Sequence, residues 1–332
     1  MTQPLHISVD AMGGDHGPGV VLAACKAALA SDVDLAITAV GPSDTLQREL
    51  GRRFERLHLR DATEVVTMDD APGDAVRKKK DSSMRIAINM VAANEASACV
   101  SAGNTGALMA TAKFVLKTRP EIDRPAIVAE IPARTNRVFM LDLGANANCS
   151  AEQLQQFAWL GSDVAAAITG QAKPRVALLN IGEEEAKGND IVRDAAALLS
   201  GDARVHYVGF VEGSRLFDDV ADVVVTDGFT GNVALKAMEG TAALVGDYLR
   251  GAFEASLGSK LRGLIARPVL RRLKAQLDPR HYNGAVFAGL NGVVVKSHGS
   301  ADAIAFRHAI DTAVLECRAE QAKQSLTTTE HT

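Results

Sequence analysis

The chain has 332 residues, of which 47% are apolar and only 4% aromatic, and its formal net charge is −4. Such a composition supplies a large core of small aliphatic residues, argues against an aromatic-rich β-sandwich, and gives no overall reason for binding nucleic acid. The four cysteines, Cys25, Cys99, Cys149 and Cys317, show neither a C-x-x-C pair nor zinc spacing, so they read as reduced core thiols of a cytosolic protein.

Met1 to Pro4 carries no basic segment leading into an apolar one, so no signal peptide is expected. The longest uncharged stretch, 96–112, is broken by Ser101, Asn104 and two glycines and does not read as a membrane span, so any membrane association is peripheral. From there one unit recurs: a short apolar run, a loop rich in Gly, Asn and Asp, then a helical pattern. Leu5 to Ala11 runs into Met12-Gly13-Gly14-Asp15-His16 and a helix from about Val20 to Ala30. Asp34 to Val40 leads through Gly41-Pro42-Ser43 into a helix from Asp44. Ala98 to Ser101 leads through Gly103-Asn104-Thr105-Gly106 into a helix to about Lys117. Ala126 to Pro132 and Arg137 to Leu143 interrupt the pattern as two adjacent strands, an antiparallel hairpin turning at 133–136. Ser150 with Gln153 forms a capping box that opens a helix through Leu160. Arg175 to Asn180 feeds the 182–189 loop and a helix to Leu199, and Asp222 to Thr226 feeds Asp227-Gly228-Phe229-Thr230-Gly231-Asn232 and a long helix.

Gly240 to Arg280 has no strand signal. Phe253, Leu257, Leu261, Leu264 and Ile265 recur at helical spacing, Pro268 breaks the run, and Leu270, Leu273 and Leu277 resume it. A projecting helical hairpin bent near Arg267-Pro268 is expected. Gly292 to Val295 then leads through Lys296-Ser297-His298-Gly299-Ser300 into a helix from Ala301, and 318–332 reads as a frayed polar tail. Strand, loop and helix in this alternation predict a three-layer α/β/α protein with a mainly parallel sheet, as one domain or two lobes spanning residues 1–317.

In an open parallel sheet, ligands collect at the carboxyl ends of strands, where loop N–H groups and helix dipoles favour anions. The loops above sit there, although each alone is also explained as a tight turn. No P-loop, clean G-x-G-x-x-G, H-E-x-x-H or G-x-S-x-G occurs, so the familiar nucleotide, metal and nucleophile arrangements lose their support.

Taken together and in order, six segments resemble the bacterial acyl-carrier-protein-dependent phosphate acyltransferases of phospholipid synthesis. They are 9–15, 101–107, 141–146, 180–189, 226–232 and 291–299, within a match spanning roughly residues 4 to 315. The resemblance implies a fold like that of isopropylmalate dehydrogenase and phosphotransacetylase, a homodimer, and no cofactor or metal. It implies long-chain acyl transfer from acyl carrier protein to inorganic phosphate, reversibly, giving an acyl phosphate that a membrane acyltransferase passes to glycerol 3-phosphate.

Such a reaction asks the site for phosphate placement, charge neutralisation and donors to a tetrahedral oxyanion. Lys187 lies near a helix start, where the dipole disfavours a cation; either a neighbouring glutamate pairs with it or it serves substrate. Asn232 reads by itself as a cap or turn residue. The resemblance makes Lys187 and Asn232 the catalytic pair. Gly13, Gly14, Asp15, His16, Asn104, Thr105, Asn146, Gly231 and His298 are the further candidates for holding phosphate or the acyl thioester. His16 reads more readily as a surface turn residue than as a proton donor to the leaving thiolate or a phosphate ligand, and Cys149 has no base partner in sequence to make it a nucleophile.

Two basic clusters suggest partners. Arg77-Lys78-Lys79-Lys80 is either a solvated face or a dock for the acidic carrier. In the hairpin, Leu257, Leu261, Leu264 and Ile265 lie among Lys260, Arg262, Arg267, Arg271, Arg272 and Lys274, a pattern that suits an anionic membrane surface or a dimer arm. A dehydrogenase, a coenzyme-A-dependent acyltransferase and a non-catalytic scaffold are the competing readings.

Overall fold

The computed structural model describes residues 5–276 and 278–329. In chain order the elements are β1 (Leu5–Asp10), α1 (Pro18–Ser31), β2 (Leu35–Val40), α2 (Ser43–Leu50), β3 (Leu57–Arg60), α3 (Pro72–Lys78), α4 (Ser83–Ala92), β4 (Ala98–Ser101), α5 (Thr105–Leu116), β5 (Ala126–Ile131) and β6 (Val138–Leu141). They continue with α6 (Ala151–Thr169), β7 (Arg175–Asn180), α7 (Asp190–Ser200), β8 (His206–Glu212), β9 (Val223–Val225), α8 (Gly228–Glu254), α9 (Leu257–Gln276), β10 (Ala285–Ala288), β11 (Val293–Lys296) and α10 (Ala303–Thr329).

The strands form one eleven-stranded sheet in the order β3-β2-β1-β4-β11-β10-β5-β6-β9-β7-β8. Seven pairings are parallel and three antiparallel. Period-2 alternation divides the strand residues between two cores. Val223 and Val225 of β9 join the core under α1, α6 and α10, whereas Val224 between them joins the core under α4 and α5. The expected α/β/α layering, the mainly parallel sheet and the β5–β6 antiparallel hairpin are all present. The Ser150–Gln153 capping box also forms, although its helix runs to Thr169 rather than Leu160.

Five elements carry too little pattern to read from sequence: β3, α3, α4, β8 and β10. Of these β10 matters most. It enters antiparallel between β11 and β5, and with β5–β6 it makes three consecutive reversals. The block β3-β2-β1-β4-β11 therefore runs opposite to the block β6-β9-β7-β8.

Two expectations are corrected. The helical hairpin turns at Ala255–Ser256, not at Arg267-Pro268, and Pro268 lies inside α9. Ser256 makes the turn by accepting a hydrogen bond from the Ser259 N–H at 3.0 Å, a cap for α9, and Phe253 packs on Gly263 across the turn. The polar segment from Arg318 is not a frayed tail either, because α10 continues through it to Thr329. The side chains of Arg271, Leu273 and Lys274 lie outside the described residues, as do Leu277, Met1 to Pro4 and 330–332.

Candidate active site

The predicted site residues fall into two groups, because the two strand blocks open at opposite edges of the sheet. The first group follows β1, β4 and β11. Its anchor is Asp10, the buried last residue of β1. Asp10 accepts hydrogen bonds from Ser83 Oγ at 2.6 Å, Ser101 Oγ at 2.7 Å and the Met12 N–H at 3.2 Å. Ser101 Oγ in turn accepts from the Gly103 N–H at 3.0 Å. The loops after β1 and β4 are thus pressed together, and a Cβ on Gly13 would lie 2.5 Å from the Gly103 nitrogen. The Asp15 N–H donates to the Gly299 carbonyl at 2.8 Å, which joins the loop after β11. Above this knot Asp15, His16, Thr105 and His298 are exposed. Asn104 is committed to structure: its carbonyl caps α5 through the Ala107 N–H at 3.0 Å, and its amide donates to the Met68 and Asp70 carbonyls.

The second group follows β6, β9 and β7, which are immediate neighbours in the sheet. Asp142 is fully buried just past β6. Its carboxylate accepts from the N–H groups of Ile127, Gly144, Ala145 and Asn146 and from the Asn146 amide, at 2.7–3.2 Å. Burial still pushes its pKa above the usual carboxylate range. Asn146 spends its amide on Asp142 and on the Pro125 carbonyl at 2.8 Å, so it shapes the loop rather than facing a ligand. The start of α8 seats directly on this loop. Asp227 is its N-cap, accepting from the Thr230 N–H at 2.8 Å. Asn232 therefore is not the cap; it lies in the second turn, exposed, with Gly144 across from its side chain.

Lys187 lies in the loop between β7 and α7. Buried Asn180, closing β7, donates to the Lys187 carbonyl at 3.2 Å and fixes the loop's base. The Lys187 side chain is half exposed, with Nζ 3.0 Å from Glu184. The Glu184 hydrogen bond and charge hold the lysine above its ordinary pKa, so it is a cation near neutral pH. An exposed pair of this kind is weak and exchangeable. Registers Val176↔Val223 and Leu178↔Val225 place the β7 and β9 ends side by side, so Lys187 and Asn232 leave the sheet from adjacent strands. Adjacent strands lie about 4.8 Å apart.

Each group is knit internally, and among the described residues no hydrogen bond or ion pair joins one to the other. Cys149 is buried beside the second group; burial, with Asp142 nearby, pushes its thiol up to about 11, the wrong direction for a nucleophile. Among the described residues no three His, Cys, Asp or Glu side chains are grouped to hold a metal ion. Residue-by-residue reading did not single out Asp10, Asp142, Asn180 and Lys296. Their shared signal is a polar residue closing or just following an apolar strand run.

The architecture is that of the phosphotransacetylases. A solved phosphotransacetylase from Streptococcus pyogenes superposes with a TM-score of 0.63 at 19% identity, covering 97% of this chain and 95% of that one. A branched-chain phosphotransacylase from Enterococcus faecalis gives 0.59 at 14% identity, covering 93% and 99%. The family model described as "Fatty acid synthesis protein" matches residues 5–324. The phosphate acyltransferase of Alkalilimnicola ehrlichii is 57% identical over 96% of this chain and 94% of its own, and that of Halorhodospira halophila 53% over 98% and 96%. The chain belongs to the phosphate acyltransferase family.

Proposed function

We propose that this acyltransferase moves a long-chain acyl group from acyl carrier protein to inorganic phosphate at the Lys187–Asn232 edge of the sheet. What supports the assignment is that a half-exposed cation in the loop after β7 and an exposed amide in the second turn of the helix after β9 follow adjacent strands, over a buried scaffold. Phosphate takes the place of Glu184 on Lys187, which neutralises its charge and holds one oxygen toward the thioester. That oxygen attacks the acyl carbon, and the Asn232 amide donates to the oxyanion that forms. Collapse expels the carrier's thiolate and leaves the acyl phosphate. Phosphate is itself the nucleophile, so a covalent enzyme intermediate is unnecessary, in keeping with the buried Cys149 thiol. Asp15, His16, Thr105 and His298 at the other edge bind substrate without taking part in bond making.

The direct test offers purified protein long-chain acyl carrier protein, phosphate and no nucleotide. Acyl phosphate is expected, and turnover with acyl carrier protein should exceed that with acyl-coenzyme A. Equal or preferential use of the coenzyme A donor would overturn the carrier assignment.

Homodimerisation and membrane contact belong to the same proposal, and the long helices suit both. In α8 only Gly228 and Gly231 are buried, while Phe229, Val233, Leu244, Val245 and Tyr248 are exposed, a surface for a second copy. In α9, Leu257, Leu261, Leu264 and Ile265 are 62–86% exposed, and Lys260, Arg262 and Arg267 beside them are exposed too. No helix among the described residues is long and apolar enough to cross a membrane. The α9 face instead lies on an anionic surface, where each basic residue contributes about 1 kcal/mol that salt screens. It keeps the protein at the cytoplasmic membrane face, where the lipophilic product reaches the glycerol-3-phosphate acyltransferase. Arg77 and Lys80 are exposed for the carrier, whereas Lys78 and Lys79 pair with Asp74 and Asp70.

Leu261→Glu/Leu264→Glu should weaken binding to anionic liposomes strongly while the protein stays dimeric by light scattering. Wild-type binding should fall with ionic strength without vanishing. Unchanged liposome binding by the dimeric variant would remove the membrane role from α9.

A further inference from the structure

Lys296 is the last residue of β11 and is 91% buried, a rare state for a lysine that is not paired directly with a carboxylate. Its ammonium donates to the Ala102 carbonyl at 3.1 Å and to the Ser297 carbonyl. Ala102 belongs to the loop after β4, and Ser297 to the loop after β11. Asp10, which anchors the loops after β1 and β4, and Asp15 on the rim act on Lys296 electrostatically. One charged group therefore contacts, or acts on, all three loops of the first group. Directly beyond it lie the exposed rim residues Asp15 and His298, and His16 is tied to the same loop through the Ser300 carbonyl at 3.2 Å. A packing role alone is better filled by Met or Leu, which bury without a desolvation cost.

We propose that Lys296 is a positioning residue for substrate binding: its buried ammonium fixes the spacing of the 12–16, 101–106 and 297–300 loops, and so the placement of Asp15, His16 and His298. The proposal rests on the reading that this rim binds substrate. Lys296 does not touch the reacting atoms, so its loss acts on KM and not on kcat. Burial lowers its pKa to about 8, with the Asp10 and Asp15 carboxylates opposing the shift. His16 and His298 are the other titratable groups facing these loops. The ammonium, and with it the grip on both carbonyls and the attraction to Asp10, is therefore nearly full at about pH 7, half lost near pH 8 and largely gone by about pH 9.

The experiment compares wild type, Lys296→Met and Lys296→Arg by steady-state kinetics, with inorganic phosphate and acyl carrier protein varied separately. In the Met variant the KM of one substrate should rise about tenfold or more, the scale of one charge-assisted hydrogen bond, with kcat within about twofold. The substrate whose KM moves is the one the rim holds. Arginine, charged at all these pH values, should restore most of the binding. Should the Met variant not fold, the wild type still decides: the same KM should climb between pH 7.5 and about 9 as the lysine discharges. The imidazole NMR signals of His16 and His298 should shift with it while His206, on β8, stays put. A KM unchanged in folded Lys296→Met, no rescue by arginine, or a KM and imidazole signals flat with pH would each overturn the proposal. Wild type that forms no acyl phosphate would instead overturn the functional reading, and the imidazole signals would still report on Lys296.

Discussion

Lys187→Ala and Asn232→Ala should each lower turnover by about 10²–10³-fold, the scale of losing one preorganised oxyanion donor or charge at the reacting centre. Neither change should disturb the fold. The Lys187 side chain is half exposed and among the described residues it forms an ion pair with exposed Glu184, while the loop's base is held by Asn180 through the Lys187 backbone carbonyl, which alanine keeps. Asn232 is exposed in the second turn of α8, and alanine is the best helix former there. Steady-state acyl phosphate formation, with circular dichroism to confirm folding, measures both. The double variant should lose much less than the product of the single losses, because the two residues act on one transition state. Either single variant within about threefold of wild type would remove that residue from the catalytic pair.

Gly231→Ala should be the most damaging single methyl in the chain. A Cβ at Gly231 would lie 1.9 Å from the Asp142 carbonyl oxygen and 3.0 Å from its carbon, both backbone atoms that cannot swing aside. Asp142 is itself immobile, held by four N–H groups and the Asn146 amide. The first turn of α8 must then lift off the loop after β6. Overpacking of this kind costs about 1–3 kcal/mol or more. The same displacement lifts Asn232 off Gly144, which its side chain faces, so activity should fall further than stability alone explains. Thermal unfolding and turnover measured below the variant's midpoint separate the two effects. Gly73→Ala, where a Cβ meets nothing within 4 Å, is the control and should be close to neutral. A Gly231→Ala protein with wild-type midpoint and turnover would show that α8 is not seated as described.

Individual residues show how far sequence carried. Ser150 and Gln153 announced their helix because a capping box is a local device, complete within four residues. The turn at Ala255–Ser256 was misplaced because Pro268 is the louder local signal. A proline costs a helix one hydrogen bond, and the long α9 absorbs that loss once Ser256 caps its start and Phe253 packs on Gly263. Asn104 and Asn146 were reasonable as ligand donors, since an amide in a Gly-rich loop after a strand has that chemistry. Only their partners revealed that both amides were already spent on backbone and on Asp142.

Composition, strand periodicity and the glycine loops by themselves determined that this chain folds as an α/β/α protein with anion-ready strand ends. The order of its six loop segments determined the family to which it is similar. These are properties of residues near one another in the chain. What only the tertiary structure decided is which loops share an edge. Four-residue β10, with no periodicity long enough to read, enters antiparallel to both β11 and β5 and so leaves those two strands running the same way; the β5–β6 reversal then turns the β6-β9-β7-β8 block over. That reversal sends Lys187 and Asn232 to one edge and Asp15, His16 and His298 to the other, while the parallel pairing of β11 with β4 sets Lys296 beside Ala102, almost two hundred residues away in sequence. Strand direction is settled by long-range hydrogen-bond pairing and by burial on both faces of the sheet, neither of which is written in any local run of residues.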